Sequence, residues 1–364
     1  MLSGKTILII SPEPWNHIFV SKHHYARALA LKHNKVFFLN PPTNRCSVDE
    51  TGYHNVWSVH YTGFLPGLRF LPSVIIRKQI HKVFTAIEKI CNVKFDVVWS
   101  FDNSVFFDFS ALPDSILKIT HIVDLNQNFQ THIAARTAAC CFCTTDLILA
   151  RLKKYNIKSF KITHGFINTE TAAARAIEFP GVSTAKIVYA GNLGMPFIDW
   201  LAIQQMVTEH PSADFIFIGP NRAAAHPDAR HDAAKSSVFA HSNVFDLGKI
   251  PSEELQHYLA AADVLILAYQ ERYHDDQANP HKMMEYLGSG KMIVASKTFE
   301  YEEIATEHFL MANHNTELPH LLTKALAELR QWNEPELQKK RRQVALQNTY
   351  EKQIERIERI LSTL

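Results

Sequence analysis

The segments Asp263-Val-Leu-Ile-Leu-Ala-Tyr269, Asn279-Pro-His-Lys-Met-Met-Glu-Tyr-Leu-Gly-Ser-Gly290 and Met292-Ile-Val-Ala-Ser296 follow one another in a short span. The outer two are short apolar runs bounded by turn residues, the pattern of buried strands, and the middle one has helical spacing. Asn279 suits the N-cap, Pro280 the first helical position and Gly290 the end of the helix. A strand, a helix and a second strand in this order predict a parallel unit with a right-handed crossover.

The same alternation extends in both directions. Strand candidates in the first half are Thr6–Ser11, Val36–Asn40, Asp96–Phe101, Lys118–Asp124 and Phe160–His164. In the second half they are Lys186–Gly191, Asp214–Gly219, Asn243–Gly248, Asp263–Tyr269 and Met292–Ser296. Helical periodicity fills most gaps, as in Ile198–Glu209, Glu253–Ala262 and Pro280–Leu287. Asn168–Ser183, with its Ala run and Pro180-Gly181, lacks a strand pattern and reads as a connection. After Pro335 a charged helix is expected over Glu336–Leu364, with Val344, Ile354, Ile357 and Leu361 on its apolar side. The expected fold class is α/β: two Rossmann-like domains facing a cleft. The first would be 1–166 joined by the C-terminal helix from about 345 to 364, and the second 167–344.

The chain has 364 residues, 46% hydrophobic and 20% charged. This is a soluble globular composition, which argues against disorder, collagen-like repeats or coiled coil. No apolar run approaches the roughly 20 residues that span a bilayer. Thr6-Ile-Leu-Ile-Ile10 reads as a first strand and not as a signal peptide. The five cysteines, three of them in Cys140-Cys-Phe-Cys143, suit buried thiols of a cytoplasmic protein better than a disulfide framework or a metal site. Net charge is +2, but 1–165 carries 19 Lys and Arg against 10 Asp and Glu, a surplus of nine. Such asymmetry points to an anionic surface near the first half.

Lys282 stands against its local electrostatics, because a cation in the first turn opposes the helix dipole. An anion docked there, held by free N–H groups and the ammonium together, would resolve the conflict. Glu285 lies on the same face and can accept hydrogen bonds from hydroxyls. Lysine for a diphosphate and carboxylate for a ribose would make a nucleotide-diphosphate site, although a solvent-facing lysine on an ordinary helix fits this segment equally.

Ile187-Val-Tyr-Ala-Gly-Asn-Leu193, Asn243–Leu255 with Ala262–Leu267, and Asn279–Lys291 together resemble the donor-binding half of GT-B glycosyltransferases, including those of family-4 type. The resemblance implies a nucleotide sugar, a UDP-sugar by expectation, as co-substrate, with no other cofactor. It places Gly191, Asn192, Gly219, Gly248, Lys249, Gln277, Asn279, Lys282 and Glu285 at the donor. In it, Gly191 lets backbone approach the diphosphate, the loop at Gly248 and Lys249 borders the base, Lys282 holds phosphate and Glu285 holds ribose. Plain turn chemistry would also explain Gly191 and Gly248.

Three features depart from the retaining members. Asn192–Phe197 holds neither Arg nor Lys, Gln277 stands where a first Glu would be, and Pro12-Glu-Pro-Trp-Asn-His17 replaces a Gly-Gly turn. The pairing of Lys118-Ile-Thr-His-Ile-Val-Asp124 with Phe160-Lys-Ile-Thr-His-Gly165 is similar to the inverting glucuronosyltransferase of xanthan assembly and to teichuronic-acid-type enzymes. By that similarity Asp124 is the base that takes the acceptor proton. His121 is the alternative base, and Asp124 as a mere structural cap is a third reading. His17 and His164 fall on the acceptor side. No Asp-x-Asp metal motif follows a suitable strand, so the expected transfer is metal-independent, with Lys282 neutralising the departing diphosphate.

Phe64–Phe84 mixes bulky apolar residues with Arg69, Arg77, Lys78 and Lys82, and from Pro72 onward it can form a basic amphipathic helix. Such a helix suits an anionic membrane surface and a peripheral seat on the inner face of the plasma membrane. A solvated basic face is the alternative. Nucleic acid is excluded as partner by the lack of any recognised binding motif. The leading expectation is transfer of a sugar to a saccharide or lipid-linked acceptor in cell-surface polysaccharide synthesis. A retaining enzyme of the same fold, a sugar-nucleotide 2-epimerase and a catalytically silent nucleotide- or glycan-binding subunit are the competing readings.

Overall fold

A computed structural model describes residues 1–168, 176–221 and 228–364. It divides into two compact units, Met1–Gly165 with Tyr350–Leu364, and Phe166–Thr349. The connection read over 168–183 lies partly outside the described residues.

The first unit holds strands β1 (Thr6–Ile10), β2 (Lys35–Leu39), β3 (Ser47–Glu50), β4 (Val56–His60), β5 (Val97–Ser100), β6 (Leu117–Ile122), β7 (Cys140–Cys143) and β8 (Ser159–Lys161). Their order in the sheet is β3-β4-β2-β1-β5-β6-β7-β8. All neighbours are parallel except β3 and β4. Strand order therefore reverses between β1 and β5, the switch point at whose carboxyl edge ligands of such sheets collect. The cysteine-rich run is β7 itself, wholly buried, where thiols act as small hydrophobes and burial pushes Cys140 up to about 12 and Cys141 up to about 11.

The second unit holds β9 (Ala185–Ala190), β10 (Ala213–Ile218), β11 (Val244–Asp246), β12 (Val264–Leu267), β13 (Met292–Ala295) and β14 (Leu310–Met311). The order is β11-β10-β9-β12-β13-β14, parallel throughout. Central β9 alternates its side chains between two cores. Ile187 and Tyr189 pack with Trp200 and Phe217, and Val188 and Ala190 pack with Tyr286 and Leu287. Burial on both faces explains why these strands read as unbroken apolar runs.

Two sequence expectations change. The charged helix expected over Glu336–Leu364 is two helices, Pro335–Leu346 and Tyr350–Leu361. The break falls where the Asn348 carbonyl leaves the helix to accept the Phe166 N–H at 2.8 Å and Thr349 bridges to Phe166. The second helix lies in the first unit against helix Ser21–Ala30, burying Ile354, Ile357 and Leu361. The helix expected from Pro280 also starts one residue later, at His281.

Helix Ser73–Cys91 buries Ile76, Ile80, Phe84 and Ile87 and leaves Arg77, Lys78 and Lys82 exposed. Arg69 is exposed before it, as are Leu65, Phe70, Val74 and Ile75. Among the described residues no helix is long and apolar enough to cross a membrane.

In the second unit, Arg341 of helix Pro335–Leu346 is completely buried and fastens the ends of three helices. It donates to the carbonyls of Gly290 at 2.9 Å, Trp332 at 2.8 Å and His308. Removing a buried donor strands its acceptors. Arg341→Ala should therefore lower unfolding stability by about 3 kcal/mol in urea titration; a loss below about 1 kcal/mol would show that the carbonyls find other partners.

Candidate functional site

Three glycines end three adjacent strands of the second sheet and touch through backbone. Gly191 follows β9 with φ 149°, Gly219 follows β10 with φ 140°, and Gly248 lies beyond β11 with φ 65°. Gly191 N–H donates to Ile218 O at 2.8 Å and Gly219 N–H to Gly248 O at 2.7 Å. A Cβ on Gly219 would stand 1.9 Å from the Gly191 carbonyl oxygen, so only glycine permits this approach. A Cβ on Gly248 would meet nothing within 4 Å, so its glycine serves the left-handed turn.

The helix that carries Lys282 runs His281–Ser289, with Pro280 in the cap position at φ −68° and ψ 127°. Asn279 is thus one residue too early to cap it, and its Oδ1 instead accepts the buried Tyr301 hydroxyl at 2.9 Å. Gly290 ends the helix in the left-handed conformation at φ 80°, as its sequence position suggests.

Lys282 turns its ammonium away from the helix and onto Gly191. A Cβ at Gly191 would lie 2.3 Å from Nζ, so the missing side chain is the space that the ammonium occupies. Nζ donates to the Tyr189 hydroxyl at 2.9 Å and lies 4.2 Å from the Tyr189 ring centre and 5.3 Å from that of Tyr269. Such rings attract a cation but neutralise it only weakly. Burial lowers the Lys282 pKa to about 7, with Glu285 pulling the other way. Glu285 is half-buried, 3.7 Å from His281 Nδ1 one turn back.

The remaining donor candidates are simpler. Asn192 Oδ1 accepts from Gly194 N–H at 3.0 Å and closes the turn after Gly191. Lys249 is exposed, and Gln277 is half-buried with its N–H on Tyr273 O. Sequence reasoning missed Tyr189 and Tyr269, which form the wall around the ammonium. Tyr189 was legible as the inward residue two positions before Gly191, but nothing in the sequence linked it to position 282.

In the first unit, Asp124 lies two residues beyond β6, exposed at the carboxyl edge, and its carbonyl accepts the Gln127 N–H at 3.1 Å. His121, within β6, is 1% exposed and stacked 4.8 Å from Phe101. Burial, aided by Lys22, lowers its pKa to about 3, and neither ring nitrogen has a partner among the described residues. The reading of His121 as alternative base is corrected by this burial: the ring is an aromatic core element. His164 is also buried, with Nδ1 2.9 Å from Ser21 Oγ, so it ties strand end to helix start. His17 is exposed, its Nδ1 3.0 Å from Ile18 O. Lys22, in the first turn of helix Ser21–Ala30, is 2% exposed and ion-paired with Glu13. Among the described residues no group of three or more His, Cys, Asp or Glu could hold a metal.

No protein-family model matches the chain. A putative teichuronic acid biosynthesis glycosyltransferase of Bacillus subtilis, TuaH, is 23% identical over 122 residues, spanning 31% of this chain and 29% of that protein. Among solved structures, sucrose-phosphate synthase from Thermosynechococcus elongatus superposes with a TM-score of 0.70 at 14% identity, over 99% of each chain. Anabaena HepE in complex with UDP and glucose gives 0.70 at 12% identity over 99% of this chain and 100% of that one. E. coli trehalose-6-phosphate synthase bound with UDP-2-fluoro glucose gives 0.68 at 12% identity, over 98% of each. The fold is therefore GT-B, that of the glycosyltransferases to which the chain is similar.

The buried histidines make the fold acid-sensitive. His121 has a pKa near 3 and His23, also lowered by burial, near 4, against 6.5 when unfolded. As pH falls below 6.5 the unfolded chain takes up protons that the folded one refuses, so stability declines by up to about 1.4 kcal/mol per pH unit and per histidine. His121→Phe should raise the melting temperature more at pH 4.5 than at pH 8; a difference independent of pH would remove His121 from this account.

Proposed function

We propose that the protein is a nucleotide-sugar glycosyltransferase that uses a UDP-sugar and acts on a saccharide or lipid-linked acceptor in cell-surface polysaccharide synthesis. The observation that carries this reading is the Lys282 ammonium resting on the Cβ-less face of Gly191, at a strand edge lined by three glycines. Backbone can approach a diphosphate there, and a cation lies ready to hold it. The similarity to TuaH and to HepE, whose structure carries UDP and glucose, supports the choice of donor class. Glu285 would take the ribose hydroxyls, and the loop at Gly248 and Lys249 would border the base.

Asp124 supplies the base in this proposal. Its exposed carboxylate at the edge of the first sheet can accept the acceptor hydroxyl proton as that oxygen attacks the anomeric carbon. The donor carbon–oxygen bond breaks on the opposite side, inverting the centre and releasing UDP. Lys282 stabilises the departing charge without a divalent ion. The exposed Arg69, Arg77, Lys78 and Lys82, set among exposed Leu65, Phe70, Val74 and Ile75, suit an anionic membrane on the cytoplasmic side that carries the acceptor.

Two experiments test the reading. Lys282→Ala should weaken UDP binding at least tenfold in calorimetry, and Asp124→Asn should cut transfer about a thousandfold while leaving UDP affinity unchanged. Unchanged UDP binding in the first variant would sink the diphosphate assignment, and full activity in the second would sink the base. Separately, Arg77→Glu with Lys78→Glu should reduce co-sedimentation with phosphatidylglycerol vesicles at low salt, each charge contributing about 1 kcal/mol; equal sedimentation would end the membrane assignment.

A further inference from the structure

Lys282 holds its ammonium against a neutral phenol rather than a carboxylate. The Tyr189 hydroxyl accepts from it at 2.9 Å, and the rings of Tyr189 and Tyr269 wall it in. Tyr189 is itself immovable, 1% exposed in central β9 and packed beside Phe217. Its neighbour Ala190 donates its N–H to the Tyr286 hydroxyl, which donates onward to Ile266 O. This lattice aims the Tyr189 oxygen at one point in space, the point beside Gly191 where a side chain would otherwise be.

We propose that Tyr189 is a positioning residue of the donor site, holding the Lys282 ammonium in its charged form over Gly191 until the donor diphosphate takes it. The inference rests on the diphosphate reading of the site. A lysine stem has four rotatable bonds, and fixing its head beforehand removes an entropy cost from donor capture. The phenol also supplies an acceptor to a cation partly shielded from water, which favours the charged form. Tyr189 touches no reacting atom, so its effect passes entirely through Lys282.

The charge balance gives this role a pH signature. The titratable groups acting on the ammonium are Tyr189 on β9, Tyr269 beyond β12 and Glu285 on its own helix, with His281 beside Glu285. Burial brings the Lys282 pKa to about 7. A bound diphosphate raises it, so capture draws a proton onto the amine, and affinity is full below about pH 7 and falls above it, by up to tenfold per unit. Without the Tyr189 hydroxyl the amine loses its proton at lower pH, and the fall begins earlier.

UDP-glucose is the suitable probe, because its diphosphate does not titrate in this range. Its Kd is measured by calorimetry from pH 6 to 8.5 for the intact protein and for Tyr189→Phe. The expected result is a wild-type Kd that rises above pH 7, and a Tyr189→Phe Kd near wild type at pH 6 but about tenfold weaker at pH 8.5. Equal affinities throughout would overturn the positioning role, and a loss of the same size at every pH would overturn the part of it by which Tyr189 keeps the ammonium charged. If the variant does not fold, the wild type decides alone: a flat profile contradicts the proposal. Should Lys282→Ala bind UDP-glucose as tightly as wild type, or wild type not bind it, the diphosphate reading itself fails; a weakened Lys282→Ala beside an unaffected Tyr189→Phe refutes only the role of Tyr189.

Discussion

One constraint organises the second unit: a half-buried ammonium that rests on a phenol and two aromatic rings, with Glu285 acting on it only from a distance. The arrangement is unfavourable for a resting protein, because burying a charge without a carboxylate costs more than a ring returns. Gly191 must lack a Cβ because Nζ occupies that space, and Gly219 must lack one because Gly191 crosses above it. The helix that carries Lys282 is fixed at its far end by Arg341 on the Gly290 carbonyl. In the proposed reading, that cost prepares the site for an anion.

The first unit offers the comparison that gives this argument its force. Lys22, buried where Lys282 is half-buried, also stands in the first turn of a helix beyond a parallel strand. There Glu13 reaches back to pair with it, within the Pro-Glu-Pro-Trp turn that replaces a Gly-Gly sequence. The same violation of helix polarity is neutralised in one unit and left open in the other. Polarity alone therefore does not single out Lys282; the proposed site rests on the ammonium over the Cβ-less face of Gly191.

Much of the fold was legible because doubly buried parallel strands announce themselves as apolar runs, as in Asp263–Tyr269 and Met292–Ser296. Four strands were overlooked: Val56–His60 went unread despite its apolar residues, Leu310–Met311 is only two residues long, and the other two carry unusual residues. Cys140–Cys143 looked like a thiol cluster, and Ser47–Glu50 is an antiparallel edge whose single apolar residue, Val48, makes no pattern. Helix Glu336–Leu364 looked continuous because the break at Asn348 is imposed by Phe166, far away in sequence. At the site, Gly191, Gly219, Gly248 and Lys282 were readable because each is locally odd. Tyr189 was not, since a tyrosine in a strand is ordinary until its partner is known. His121 misled for the same reason: a ring three residues before a strand-end aspartate is consistent with chemistry until its burial between Phe101 and Trp99 is seen.

The central claim is positional, and a crystal structure with UDP tests it most directly. The account predicts electron density for the two phosphates at the end of β9, within hydrogen-bonding reach of Lys282 Nζ and against the bare backbone of Gly191. Phosphates bound elsewhere, with Lys282 still resting on the Tyr189 hydroxyl, would contradict it.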